Sequence, residues 1–351
     1  MQPHRHRVFA LAVVQVGGVG AGQRGERQAT VAAPFHAAQH RGRHQQRGFG
    51  RGVEPGDEGS EGAVQVAQQA GPWPDIQMPP AVQALYGAVD MIVVGKFGDT
   101  SSVSAVSNGS QIMITITEIV VGLSMGVTVL IGRFVGAKDE ESAAETVGGM
   151  IKLFAAVGLV ISVFTALMAD DIVFLMKVPA EAVEKTVAYV RICGLGMIFI
   201  TAFNVISGLF RGLGNSKSPL LFITIACSVN IFGDLLLCGV FKMDTTGAAI
   251  ATIFAQAVSV AFSIYKIKRD GLPFRVEKRH LKNTKQAQKS IIKIGTPVAM
   301  QDFLTSVSFL IVMAIINKIG LVASASVGIS ERLFIFLALV PISFMYALSF
   351  P

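Results

Sequence analysis

PLLFITIACSVNIFGDLLLCGV, residues 219–240, is an apolar run interrupted by two polar groups, Asn230 and Asp234. At ~1.5 Å rise per residue, a helix of this length crosses a bilayer core of about 30 Å. The two polar residues stand four apart, so a helix sets them on one face. An ionised carboxylate at that depth costs roughly 2.5–3.5 kcal/mol on insertion scales, which makes a functional role for Asp234 the default reading. The bland alternative is an Asp kept protonated, or bonded to a neighbouring helix for packing alone.

Composition agrees with a membrane setting. The chain has 351 residues, 52% hydrophobic and only 15% charged, against about 25% charged in soluble domains. The net charge of +7 could suggest a nucleic-acid partner. Most of the excess sits in one loop between apolar spans, so it reads as topology and no nucleic acid is expected. Cys193, Cys227 and Cys238 all fall in apolar segments without CxxC spacing. Neither a metal site nor a disulfide framework is expected.

Residues 1–80 differ from the rest. They hold eight arginines, no lysine and five of the six histidines, whereas from Lys96 onward there are 15 lysines and seven arginines. Rich in Gly, Gln and Arg and without apolar periodicity, this segment is expected to be disordered. The short run 8–16 after HRHR could pass for a signal-peptide core but lacks a clean small-residue cleavage site. The abrupt break in composition points instead to a segment foreign to the remainder of the chain.

From residue 81 the chain is a series of eight apolar spans, near 81–97, 103–131, 147–169, 187–210, 219–240, 248–265, 291–316 and from 322 onward. A short interfacial helix is expected within 175–190, with Pro179 at a helix start. The loop after the sixth span carries ten lysines and arginines between Lys266 and Lys293. Arg133, Lys138, Arg211 and Lys217 fall on the same side by alternation, so this side is cytoplasmic. The basic loop would also suit anionic lipid heads. Lys96-Phe97-Gly98 aligns with Lys318-Ile319-Gly320, placing Ser102 and Ser104 on Ser324 and Ser326 at an offset of 222 residues (318 minus 96). First-second then matches seventh-eighth, a repeat of six spans such as secondary transporters use. The expected fold is an all-α polytopic bundle: six helices of one lobe (81–266), a basic loop (267–290) and the first two helices of a second lobe (291–351).

With that orientation, Asp90 lies ~10 Å inside the outer face. Asp234 and Thr252 come out at similar depth, and Asn204 lies deeper. Two carboxylates, amides and a hydroxyl there could form an oxygen-lined pocket for a hard monovalent cation or a shared proton. The same set also fits a polar interhelical network that only holds the bundle together. Glu118 and Asp302 are secondary candidates. Glu331 and Arg332 read as a structural pair, and Pro297 and Pro341 as kinks. No HExxH or paired His occurs in the spans, so no enzymatic activity is expected.

Several stretches carry a family resemblance: LYGAVDMIVVGKFG (85–98), GRFVGAKD (132–139), FNVISGLFRGLGNSKSP (203–219), SVNIFGDLLL (228–237), GAAIATIFAQ (247–256) and GTPVAMQ (295–301). In combination they resemble the multidrug and toxic compound extrusion (MATE) family from residue 85 onward. The resemblance implies twelve helices in two lobes, a multi-pass place in the cell membrane, and export of small organic, cationic compounds against Na+ or H+. No cofactor beyond that coupling ion is implied. It also implies that Asp90, Asn204, Asn230, Asp234 and Thr252 line the amino-lobe cavity. The family's amino terminus is replaced here by residues 1–80 and its last four helices are absent, so a transporter fragment that does not transport by itself is expected. A lipid-linked oligosaccharide flippase of the same superfamily is the alternative; it would be expected to line its cavity with more basic residues.

Overall fold

The computed structural model describes residues 78–348 other than residue 283. The expectations for residues 1–77 lie outside them. Every regular element among the described residues is helical. The first, α1 (Met78–Phe97), begins three residues ahead of the expected span. Pro79 and Pro80 stand in its first turn, where a missing N–H breaks no helical bond. Then come α2 (Thr100–Gly136), α3 (Glu140–Leu167) and the short α4 (Ala169–Leu175). Next are α5 (Ala180–Leu195), α6 (Met197–Gly212) and α7 (Lys217–Asp234). A π-helical segment (Leu235–Val240) extends α7 directly. The remaining long helices are α8 (Asp244–Asp270), α9 (Lys285–Asn317) and α10 (Leu321–Leu348).

Five of these helices are long and apolar enough to cross a bilayer individually: α2, α3, α7 with its π segment, α8 and α9. The expected single span over 187–210 is a pair instead. α5 and α6 meet at Gly196 with a 53° bend. A Cβ on Gly196 would lie 2.3 Å from the Ile253 side chain, so α8 fills the space beside the break. The short helix α4 lies ahead of the stretch expected to hold an interfacial helix, and Pro179 stands at the N-cap of α5. Pro297 lies inside α9, which continues through it.

The polarity is that of a protein solvated by lipid. Large apolar side chains face outward, among them Leu159 and Val160 on α3, Phe232 on α7 and Phe254 on α8. Small and polar residues face inward, where buried polar groups need partners on neighbouring helices. Ser259 Oγ on α8 donates to the Phe222 carbonyl of α7 (2.8 Å), Ser162 Oγ on α3 to the Gly194 carbonyl of α5 (2.8 Å), and Thr128 Oγ1 on α2 to the Gly208 carbonyl of α6 (3.0 Å).

The bundle is built round α2, which packs on α3, α5, α6, α9 and α10. Its start is fixed by a capping box: the Asp99 carboxylate accepts from the Ser102 N–H (2.8 Å) while Ser102 Oγ accepts from the Asp99 N–H (3.3 Å). Antiparallel α9 lies against α2 through small residues on both sides. A Cβ on Gly122 would sit 2.2 Å from Ala299 Cα, and one on Gly295 would sit 2.7 Å from Leu123 Cα. Only glycine permits so close a backbone approach. The α2–α10 seam is different. Ser104 Oγ meets Ser324 Oγ (2.7 Å), a Cβ on Gly328 would meet Ser107, and Arg332 Nη2 donates to Ser110 Oγ (2.8 Å). The Ser110–Arg332 contact spans 222 positions, the offset of the repeat, and Ser104–Ser324 spans 220. Ser110 and Arg332 are thus counterparts in the two copies that meet at this seam, and α1 packs on α10 as α9 packs on α2.

Candidate functional site

Asp90 and Asp234 come together between α1 and the end of α7. Both are buried, and so is Asn230 one turn before Asp234. The two carboxyls interact directly, through a side-chain hydrogen bond when one of them holds a proton. Without a proton both are acceptors only, and Asp90 Oδ1 and both Asp234 oxygens then have no donor. Asn230 Nδ2 donates to Thr252 Oγ1 of α8 at 3.3 Å, while Asn230 Oδ1 lacks a donor too. Four buried oxygens on adjacent helices thus present lone pairs to a space that supplies no donor. Such a set costs several kcal/mol unless a cation or proton enters it.

The π segment begins at the residue after Asp234. A π turn inserts an extra residue and rotates the succeeding side chains relative to an α-helix, a feature common at functional sites. The carboxyl pair acts electrostatically on Cys238 in this segment, whose thiol donates to the Asp244 carbonyl (3.2 Å); Cys193 of α5 feels Asp90 in the same way.

Not every candidate joins this group. Asn204 on α6 donates to the Ile200 carbonyl one turn back (2.8 Å). That bond turns its amide along its own helix and not to the carboxyl pair, and α6 departs from α5 at the Gly196 bend. Glu118 on α2 and Asp302 on α9 act on each other electrostatically as a separate, half-buried acidic pair. Glu331 and Arg332 act on each other electrostatically, and Arg332 also reaches across to Ser110 and acts on Asp90. Gln256 was not among the expected residues, yet its buried Oε1 lacks a donor. It stands four residues after Thr252, which places it on the same face of α8. That spacing is the signal in the sequence that identifies it.

At the outer surface, Lys185 Nζ of α5 donates to Asp99 Oδ1 (2.9 Å) and Ser102 Oγ (2.8 Å) and pairs with Asp244 Oδ2 (2.8 Å) at the start of α8. Hydrogen bonds from Ser101, then Lys185 and the Ser102 N–H, hold the Asp99 carboxyl well below its ordinary range. This cluster ties three helix ends together beyond the carboxyl pair.

The family described as MatE matches residues 79–236. The chain is similar to probable multidrug resistance protein YoeA of Bacillus subtilis, at 26% identity over 76% of this chain and 59% of that protein. It is similar to multidrug export protein MepA of Staphylococcus haemolyticus as well, at 28% identity over 72% of this chain and 56% of that protein. The chain therefore spans a little over half the length of these curated relatives. In fold it resembles an inward-facing multidrug resistance MATE family transporter of the MOP superfamily, with TM-score 0.68 and 23% identity over 81% of this chain and 62% of that one.

Proposed function

We propose, from the premise that this chain belongs to the MATE family across residues 79–236, that it supplies the ion-binding lobe of a multi-pass exporter of small organic cations. The export is driven by Na+ or H+ moving the other way. The observation that carries this reading is the group of donor-less buried oxygens of Asp90, Asn230 and Asp234, with Thr252 bound to Asn230. A proton bridging the two carboxyls, or a sodium ion among hard oxygens, would remove the cost of burying them together. Organic cations compete for the same negative charge, so loading the coupling ion favours release of the substrate.

Lys and Arg distribution and the lipid-facing apolar surface support the membrane setting. The half-buried Glu118–Asp302 pair sits between α2 and α9 and is a second place where a cation could be held in the assembled transporter. A flippase of anionic lipid-linked sugars fits less well, because the donor-less atoms here are carboxylate and amide oxygens.

The test is efflux by the full-length protein in a drug-sensitive host. Ethidium extrusion is followed while the sodium and proton gradients are collapsed separately. Asp234→Asn should reach the membrane in normal amount and lose gradient-driven extrusion, since an amide neither holds a proton nor neutralises a cation. Normal extrusion by that variant would overturn the reading.

A further inference from the structure

Arg332 projects from α10 onto the other helix set. Its Nη2 donates to Ser110 Oγ of α2 (2.8 Å). Its Nη1 lies 3.0 Å from where a Cβ on Gly87 of α1 would stand, so the absence of a side chain there admits the guanidinium. One turn further along α1 is Asp90, on which Arg332 acts electrostatically. A guanidinium is charged at every physiological pH and has five donors, of which Ser110 takes one. Asp90 Oδ1 lacks a donor in its buried position.

We propose that Arg332 is a tethered counter-cation for Asp90, holding α10 against α1 and α2 while the carboxyl is charged and loosening that hold when Asp90 is neutralised. Arg332 is thus a positioning residue: it acts through Asp90 and reports the state of the carboxyl pair to the second set of helices. This rests on the ion-binding reading of Asp90. The groups that share the field are Asp234 from α7, Cys193 with Tyr189 from α5, Cys238 from the π segment, and Glu331 from α10 itself. Of these, Asp234 competes with Arg332 for the same partner, since it interacts with Asp90 directly. A cation between the two carboxyls neutralises Asp90 and removes the attraction that holds α10. Site occupancy and helix separation are coupled in this way by charge alone, as one side chain spans both bodies.

The experiment is a double-mutant cycle read by amide hydrogen exchange along α10, on the full chain in lipid nanodiscs without added ligand. Asp90→Asn stands in for the neutralised carboxyl at nearly unchanged volume. Asp90→Asn and Arg332→Gln should each speed exchange of amides near residues 328–335 by about fivefold, the factor given by ~1 kcal/mol of lost local stability. The double variant should match either single one, because both remove the same interaction. Arg332→Lys should keep most of the protection, since it keeps the charge. Ser110→Ala should give a smaller rise that adds to that of Asp90→Asn. Unchanged α10 exchange in Asp90→Asn, or effects of Asp90→Asn and Arg332→Gln that multiply, would overturn the proposal. This readout needs no transport, so its failure is distinguishable from normal efflux by Asp234→Asn, which would defeat the functional reading itself.

Discussion

Asn230 and Thr252 share one bond at 3.3 Å, and this weak pairing sets how much each side chain matters. Asn230 offers one oxygen among several, so Asn230→Ala in the full-length protein should lower ethidium efflux by several-fold where Asp234→Asn abolishes it. Gln256→Leu should fall between wild type and Asn230→Ala, because its donor-less Oε1 sits one turn from Thr252; initial efflux rates in inverted vesicles check both. Asp99 acts on stability instead. Its carboxyl is held low by Ser101, Lys185 and the Ser102 N–H, and a carboxyl held low in the folded state stabilises most when ionised. That contribution is fully present above the ordinary value of 3.8 and fades as pH falls toward the folded-state value. Asp99→Ala should therefore cost about 1 kcal/mol at neutral pH by loss of the N-cap alone. The gap in melting temperature from wild type should narrow below pH 4. Asp90, Asn230, Asp234 and Thr252 are legible in the sequence because polar residues in apolar runs stand out and the period of a helix fixes their face. Gln256, mid-span in α8 and four residues after Thr252, carries the same signal.

At the scale of helices, the α2–α9 contact is among the tightest backbone approaches in the bundle. Leucine at Gly122 would drive its Cβ into Ala299 main-chain atoms at 2.2 and 2.4 Å. Backbone cannot yield as a flexible side chain does, so Gly122→Leu should lose at least roughly 1–3 kcal/mol by overpacking. The variant should show a lower melting temperature or aggregate on size exclusion. Gly136, with nothing within 4 Å of an added Cβ, is the control: Gly136→Ala should gain about 0.5–1 kcal/mol in the same assay. The spans themselves are readable from hydropathy, but the Gly196 bend is not. Ile253, 57 residues on (253 minus 196), packs beside it, and no local pattern around Gly196 reports that. The π segment is hidden for the same reason: LLLCGV carries no signature that separates it from α-helix, and its register depends on what surrounds Asp234. The α2–α9 glycines are visible as letters but have no partner until α9 is placed.

For the whole molecule, orientation follows from lysine and arginine placement. Cysteine at Lys242 should react with a membrane-impermeant maleimide added to intact cells, and cysteine at Lys282 only after the membrane is opened. The three native cysteines are buried and should add little background. The repeat, faint as letters, becomes concrete at the α2–α10 seam, where Ser110 meets Arg332 at the repeat's own spacing. Self-matching surfaces of this kind are what a two-fold homodimer makes of one patch used twice. In two identical copies an arginine at this position would confront its own duplicate across the axis, charge against like charge. Joined in one chain the copies are free to differ, and here they do: serine stands on one side and arginine on the other. The seam thus carries a single positive charge and leans it toward one half, a polarity that no symmetric pair could hold.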